Sequence, residues 1–365
     1  MASRFNLTIT LPNKLNSCSP RTCEAELRST YKIEHHICDS LHGKVYAARK
    51  VADDEHVAIK TFSAEERNAP RSYAQSAEQD FHLEMKGYRL LAEAFPGQCK
   101  ITSPFVTMSA AKFDSKEQYG YIVSEYVQSV DLFEYVATNY RDQGMPHSDV
   151  VVCFNAMVQA MNSLKKKNLT HGDISLENWI WDKRHPTQIK LIDYSTVQEL
   201  GAQRAGEGTS IKLGFVPPEG FKYGFHLMRP ECHDMFALGV CLFIMLTGIP
   251  PFLRSWYSHE SVLMNGSDAR ADLRQWKYYA GFLFDNPEAL RHCHPLRQIT
   301  PTFRHVLVNL LSEYPQRRWC AEQLHEYWSL NFPPQATSSS AQGCRSDALE
   351  QQDSLLECTN EKQIS

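Results

Sequence analysis

Three polar side chains near the middle of the chain have the types and spacing that phosphoryl transfer requires. The run His171-Gly172-Asp173-Ile174-Ser175-Leu176-Glu177-Asn178 sets an aspartate five residues before an asparagine. A second aspartate closes the apolar run of Ile189-Lys190-Leu191-Ile192-Asp193-Tyr194-Ser195. One carboxylate, Asp173, can orient a hydroxyl nucleophile, while Asn178 and Asp193 offer oxygen ligands for magnesium on a nucleotide's phosphates. Taken alone, the first run reads equally as a capped turn ahead of Trp179-Ile180-Trp181, so its chemistry depends on the elements around it.

Those elements fall into two regions. From Tyr31 to Val127 the signals are short β-type runs. Lys44 to Ala48 and Val57 to Phe62 flank the polar turn Asp53-Asp54-Glu55 and read as a hairpin, and Tyr121 to Val127 reads as a further strand. Between them, Gln79 to Ala94 spaces Phe81, Tyr88 and Leu91 as an amphipathic helix does, with Phe95 just beyond. After Val130 the pattern turns helical, over Leu132–Tyr140, Val150–Lys167, Phe236–Leu246, Phe303–Leu311 and Ala321–Trp328. Residues 1–30 read as an irregular N-terminal extension, and the Ser-, Gln- and Glu-rich stretch 333–365 is expected to be disordered.

Composition narrows the function classes. The 365 residues carry 38 Lys and Arg against 42 Asp and Glu, a formal net charge of −4. That balance lacks the basic surplus of a nucleic-acid-binding protein. The most apolar run, Phe236 to Leu246, is too short for a membrane segment, which needs roughly 20 residues. The eleven cysteines form no Cys-x-x-Cys pair, and the first residues lack the apolar run of a secretory signal. Reduced thiols and a cytoplasmic location, the nucleus not excluded, are the expectation.

The chain resembles the protein kinase family, whose catalytic loop is His-Arg-Asp-x-x-x-x-Asn and whose metal loop is Asp-Phe-Gly. Val57-Ala58-Ile59-Lys60 is similar to the strand bearing the family's phosphate-binding lysine, and Glu84 sits where its ion-pair partner belongs. Pro217-Pro218-Glu219 resembles the Ala-Pro-Glu that ends the activation segment. Asp234 to Gly239, running on to Gly248-Ile249-Pro250-Pro251-Phe252, resembles the central helix of the large lobe. Pro315-Gln316-Arg317-Arg318 resembles the segment whose arginine pairs with the Ala-Pro-Glu glutamate. These motifs follow the family's order from about residue 31 to 330.

The resemblance implies an α+β, bilobal fold, with a small β-rich lobe at 31–127 that carries one helix and a larger helical lobe at 128–332. It implies ATP and Mg2+ as cofactors and a protein substrate phosphorylated on Ser or Thr. Asp173 would orient the hydroxyl, and Lys60, fixed by Glu84, would hold the α- and β-phosphates under Gly43. Asn178 and Asp193 would bind the metal. Val45 and Ala58 would enclose the adenine, the backbone of Glu125 and Val127 would bond it, and the small Ser124 behind it would leave a back pocket open. Asp234 is expected to bond the backbone of the catalytic loop.

Several positions depart from the family pattern. The phosphate-covering loop, Gly-x-Gly-x-x-Gly-x-Val in the family, is Cys38-Asp39-Ser40-Leu41-His42-Gly43-Lys44-Val45 here, and is expected to grip ATP less tightly. Gly172 replaces the catalytic-loop arginine, so a phosphate on Thr209 or Ser210 would lack its usual cationic seat and control by that route is not expected. Ser195 replaces the metal-loop glycine. Ser175 replaces a lysine of the Ser/Thr kinases, and Lys212 stands seven residues before Glu219 where those kinases carry Thr, either as the same charge relocated or as an exposed loop lysine. A non-catalytic kinase-like scaffold is the main alternative. A small-molecule phosphotransferase shares the His-Gly-Asp-x-x-x-x-Asn pattern but not the Glu219, Asp234 and Arg318 segments.

Overall fold

Five strands form one antiparallel sheet in the order β1-β2-β3-β5-β4. They are β1 (Tyr31–Ser40), β2 (Gly43–Lys50), β3 (His56–Ser63), β4 (Met108–Asp114) and β5 (Tyr119–Glu125). The computed structural model describes residues 22–69, 73–97, 103–141, 143–181, 189–202, 212–224, 228–251 and 299–333. Apart from Pro333, the expected disordered tail lies outside these residues, as do Thr209, Ser210 and the first 21 residues of the chain.

Alternation along β3 decides what covers each face. Val57 and Ile59 pack with Tyr121 and Val123 on one side, while Phe62 joins the opposite cluster with Phe81. The hairpin between β2 and β3 closes as expected, with Asp54 at φ 60°, a left-handed position that Asp tolerates better than most residues.

Residues 22–30 are not irregular. They form helix α1 (Thr22–Thr30), whose Cys23 and Leu27 are buried against the Val57 face of the sheet. Glu117, in the β4–β5 turn, accepts hydrogen bonds from the Thr22 and Cys23 backbone amides at 2.5 and 3.0 Å, satisfying donors at the helix start. The short sequence TCEAELRST carries only two apolar residues that reach the sheet, which is why periodicity did not expose it.

The other face of the sheet receives helix α2 (Ala77–Ala94), which starts at a capping box made by Ser76 and Gln79. Phe81, Tyr88 and Leu91 are buried, as their spacing predicts. Gly87 lets α2 approach the loop beyond the second aspartate: a Cβ there would lie 2.0 Å from the Tyr194 carbonyl oxygen.

The large lobe begins with α3 (Leu132–Asn139) and α4 (His147–Lys166), followed by the short strands β6 (Leu169–Thr170), β7 (Trp179–Trp181), β8 (Ile189–Leu191) and β9 (Gln198–Glu199). Helices α5 (Pro218–Tyr223), α6 (Pro230–Thr247), α7 (Pro301–Leu310) and α8 (Ala321–Asn331) complete the described part. Strands β6 and β9 pair, as do β7 and β8, so the two loops bearing Asp173 and Asp193 lie side by side.

Helix α6 is buried along its length except at Glu231 and stops where Gly248, at φ 72°, returns its N–H to Ile244. By length and composition alone it could cross a bilayer, but its residues lie inside the large lobe. It starts six residues before the Phe236 expected from apolar pattern, because its first turns bury polar groups. Around it, Phe154 of α4 meets Trp328 of α8 edge to face at 4.8 Å, with Phe303 of α7 beside them.

One buried ion pair ties the start of α5 to the far end of the chain. Arg318 donates to both oxygens of Glu219, at 2.6 and 3.0 Å, and to the carbonyls of Cys232 and Ser312. Removing one partner leaves the other charge buried and alone. Arg318→Met is therefore expected to cost about 3–5 kcal/mol of unfolding free energy. The double variant Glu219→Leu, Arg318→Met should cost less than that single change. Urea denaturation checks both, and a loss below about 1 kcal/mol for Arg318→Met would contradict the buried-pair account.

Candidate active site

Lys60 stands between two carboxylates. From β3 its ammonium meets Glu84 of α2 at 2.5 Å and Asp193, just past β8, at 3.9 Å. Burial opposes charge on the lysine, but Asp193 and Glu84 outweigh it and hold its pKa above the ordinary value. Burial pushes the Glu84 carboxyl up to about 7 against the pull of Lys60, because that one cation is shared with Asp193. Burial also opposes charge on Asp193, yet Lys60 and the Ser195 hydroxyl together hold it down to about 2.

Ser195 thus acts on the second aspartate directly. Its Oγ donates to Asp193 Oδ1 at 2.8 Å, which leaves Oδ2 toward Lys60. Asp193 itself has φ 61°, a left-handed backbone held by the bonds around it.

The loop bearing Asp173 is fixed from below by Asp234 of α6. Its carboxylate accepts from the Thr170 hydroxyl and from the His171 and Gly172 amides, the latter two at 2.8 Å. This is the backbone contact expected of Asp234. Asn178 folds back on the same loop: its Nδ2 donates to the Asp173 carbonyl at 2.7 Å and to Asp173 Oδ2 at 3.2 Å. With nitrogen turned to Asp173, the amide oxygen is the atom of Asn178 that suits a hard cation. An amide oxygen and the Asp193 carboxylate fit Mg2+, which takes few protein ligands and keeps phosphate and water oxygens for the rest.

Lys212 reaches this loop from the segment that precedes α5. Its Nζ lies 2.7 Å from Ser175 Oγ, 2.8 Å from Glu177 Oε2 and 3.6 Å from Asp173 Oδ2. Burial works against its charge, but Asp173 and Glu177 prevail and raise its pKa. Lys212 is not an exposed loop lysine: its ammonium takes up space beside Asp173 next to the small Ser175.

Gly172 has φ +84°, and a Cβ on it would sit 2.9 Å from the Thr196 carbonyl oxygen. The Thr196 hydroxyl donates to the His171 carbonyl at 2.7 Å, drawing the two loops together. The missing arginine is therefore a backbone requirement here as well as a lost cation.

Across the sheet, Val45 pairs with Lys60, and Ala58 pairs with Ala47 and Ser124, so all five share the α2 side. Strand β5 stops at Glu125, two residues short of the predicted end. Glu125 is braced by an ion pair at 3.1 Å to Lys190, a buried residue of β8, and Val127 is buried just beyond. Tyr88 of α2 is buried, and burial raises the pKa of its phenol.

Gly43 also has another cause than phosphate approach. At φ +150°, a Cβ would lie 2.1 Å from the Thr61 carbonyl oxygen, so β3 itself demands glycine there. The β1–β2 turn beside it is bonded to its own chain. The Leu41 carbonyl accepts from the Asn68 and Ala69 amides at 3.0 and 2.9 Å, and the His42 carbonyl accepts from the Ser63 amide at 2.7 Å.

Sequence reasoning passed over Lys190, Tyr88 and the phenol of Tyr194. Tyr194 is buried and stacks edge to face on Tyr88 at 4.8 Å. Its hydroxyl donates to the Leu191 carbonyl at 2.5 Å and accepts from the Val106 amide at 2.6 Å. A lysine inside the apolar run Ile189–Ile192 was the available signal for Lys190. No local pattern marks a tyrosine as hydrogen-bonded.

The family described as protein kinase domain matches residues 31–328. The mouse serine/threonine-protein kinase DCLK3 is 26% identical over 212 residues, which are 57% of this chain and 23% of that protein. A probable serine/threonine-protein kinase 2 of Plasmodium falciparum (isolate K1 / Thailand) is 30% identical over 144 residues, 38% of this chain and 26% of its own length. Human MAP kinase-activated protein kinase 2 is 24% identical over 213 residues, 57% of this chain and 47% of its own. The chain thus spans about a quarter to a half of these curated relatives. Among solved structures, the Cydia pomonella granulovirus kinase PK-1 superposes with a TM-score of 0.56 at 18% identity, covering 84% of this chain and 97% of that one. This likeness extends the antiparallel small lobe and helical large lobe to a common fold, and the match over residues 31–328 makes the chain a member of the protein kinase family.

Proposed function

We propose that this chain is an active protein kinase that moves the γ-phosphate of ATP to a serine or threonine hydroxyl of a protein. The observation that carries the reading is Lys60, held charged between Glu84 and Asp193 in a site where Asn178 folds onto Asp173. A scaffold has no physical need to set two carboxylates, one of them buried, around one ammonium.

In this reading Asp173 orients the substrate hydroxyl and takes its proton. The hydroxyl oxygen attacks the γ-phosphorus, the bond to the β–γ bridging oxygen breaks, and ADP leaves. Lys60 binds the α- and β-phosphates while Glu84 keeps its ammonium in place. Asp193 and Asn178 would hold Mg2+, which would supply charge neutralisation at the phosphates. Val45 and Ala58 bracket the adenine, and the backbone of Glu125 and Val127 bonds its edge. Lys212 supplies beside Asp173 the positive charge that Ser175 lacks. The described free thiols, four of them buried, suit a reducing compartment such as the cytoplasm or nucleus.

A non-catalytic scaffold is the second reading, favoured by the β1–β2 turn, whose Leu41 and His42 carbonyls are spent on its own chain. The two readings part on turnover. Purified protein with Mg2+ and ATP is expected to phosphorylate members of a peptide library and to show a thermal shift with the nucleotide. Lys60→Met should lower turnover about a hundredfold or more with the fold intact. Absence of turnover in the wild type, or a Lys60→Met rate equal to it, overturns the proposal.

Lys212→Thr is expected to lower kcat about tenfold or more with little change in KM for ATP, because its charge acts beside the reacting hydroxyl. Adding Ser175→Lys to that variant should restore part of the rate. Steady-state kinetics decide it, and an unchanged kcat in Lys212→Thr would assign the lysine to structure alone.

Gly172→Arg should destabilise the chain by about 1–2 kcal/mol, the cost of a left-handed backbone in a residue with a side chain, without creating dependence on phosphorylation. Urea denaturation, and activity before and after phosphatase treatment, provide the check. A variant as stable as wild type that loses activity on phosphatase treatment contradicts this account.

A further inference from the structure

A buried polar cluster away from the phosphate-binding groups joins the β1–β2 turn to helix α2. His42, in the turn, is 3% exposed, and its Nδ1 lies 2.7 Å from Asp80 Oδ2. The other Asp80 oxygen accepts from the Tyr73 hydroxyl at 2.7 Å. On the far side of the imidazole, Arg67 donates to Nε2 at 2.9 Å and also to the Tyr73 carbonyl at 2.5 Å. Arginine can only donate, so Nε2 accepts and Nδ1 carries the proton given to Asp80. The four side chains therefore fix one tautomer and one orientation.

The placement of Asp80 gives the cluster its reach. Asp80 and Glu84 lie one turn apart on α2, on the same face, and Glu84 meets Lys60. Lys60 stands opposite Val45 of β2, three residues beyond His42. The path from turn to helix to lysine and back along β2 is closed. An apolar contact would join turn and helix without burying a carboxylate, whose desolvation is costly. What the hydrogen bonds add is direction.

We propose that His42 and Asp80 are positioning residues whose hydrogen bond latches α2 to the β1–β2 turn and so holds Glu84 on Lys60 before any nucleotide arrives. The turn then serves as a strut for α2 in place of a mobile cover over phosphate. The kinetic part of this inference rests on the proposed ATP-dependent activity; the structural part does not.

The test uses the full chain, with hydrogen–deuterium exchange read without nucleotide and turnover read with Mg2+ and ATP. His42→Leu is expected to speed exchange in residues 77–87 at least tenfold while β4 and β5 keep wild-type rates. It should also lower kcat at least tenfold. His42→Gln, which keeps a donor for Asp80, should recover most of both losses. Tyr73→Phe, which leaves the His42–Asp80 bond in place, should change α2 exchange little. If His42→Leu does not fold, Arg67→Gln at its exposed position takes its place and is expected to act in the same direction.

Unchanged α2 exchange in a folded variant overturns the latch. Faster exchange with wild-type kcat overturns the positioning role. A wild type without turnover sinks the activity proposal instead, and the latch is then judged on exchange alone.

Discussion

The site is organised by one shortage: two carboxylates, Glu84 buried and Asp193 half-buried, share a single ammonium. Glu84 and Asp193 come from different lobes, and Lys60 reaches both. Satisfying the pair fixes the height of α2 over the sheet and the distance between α2 and the loop after β8. Gly87 makes that distance possible, since any larger residue would push the helix off the Tyr194 backbone. The second aspartate is further committed by the Ser195 hydroxyl. The serine that stands where the family carries glycine thus orients a carboxylate.

A second arrangement involves charge that has moved along the chain. Ser175 and Lys212 face each other across 2.7 Å, with the ammonium also near Asp173 and Glu177. A cation on the activation segment can serve the catalytic loop only while that segment lies against it. The local field at Asp173 therefore depends on the placement of Lys212, whereas a lysine within the loop would keep its position whatever the segment did. Gly172 belongs to the same economy of space, because its left-handed backbone and its closeness to the Thr196 carbonyl crowd even a Cβ.

The order of motifs, the β2–β3 hairpin and the amphipathic α2 were legible because each is written in local spacing. The paired arrangement of Glu219 with Arg318 was legible too, from the family's segment order. What stayed hidden was carried by residues whose neighbours decide their meaning. Helix α1 is short, and its N-terminus is satisfied by Glu117, which lies 94 residues away in sequence from Cys23. Strand β1 is mostly exposed, so Ile33-Glu34-His35-His36 shows no alternation. Gly43 was read through a phosphate when β3 already requires it. Buried polar groups such as His42, Lys190 and Tyr194 look like surface residues in a sequence, since their partners come from distant segments.

Tyr194 bears on which small molecules the site can admit. Turning its ring outward would separate a buried phenol from the Leu191 carbonyl and leave the Val106 amide only its longer 3.3 Å bond to that same carbonyl. A buried phenol left without its partner carries a penalty of about 1–3 kcal/mol. A phenylalanine at this place would leave no such groups behind. Compounds that fit only a rearranged loop after β8 must supply that energy from their own contacts, so this cleft discriminates against them through a bond that no such compound touches.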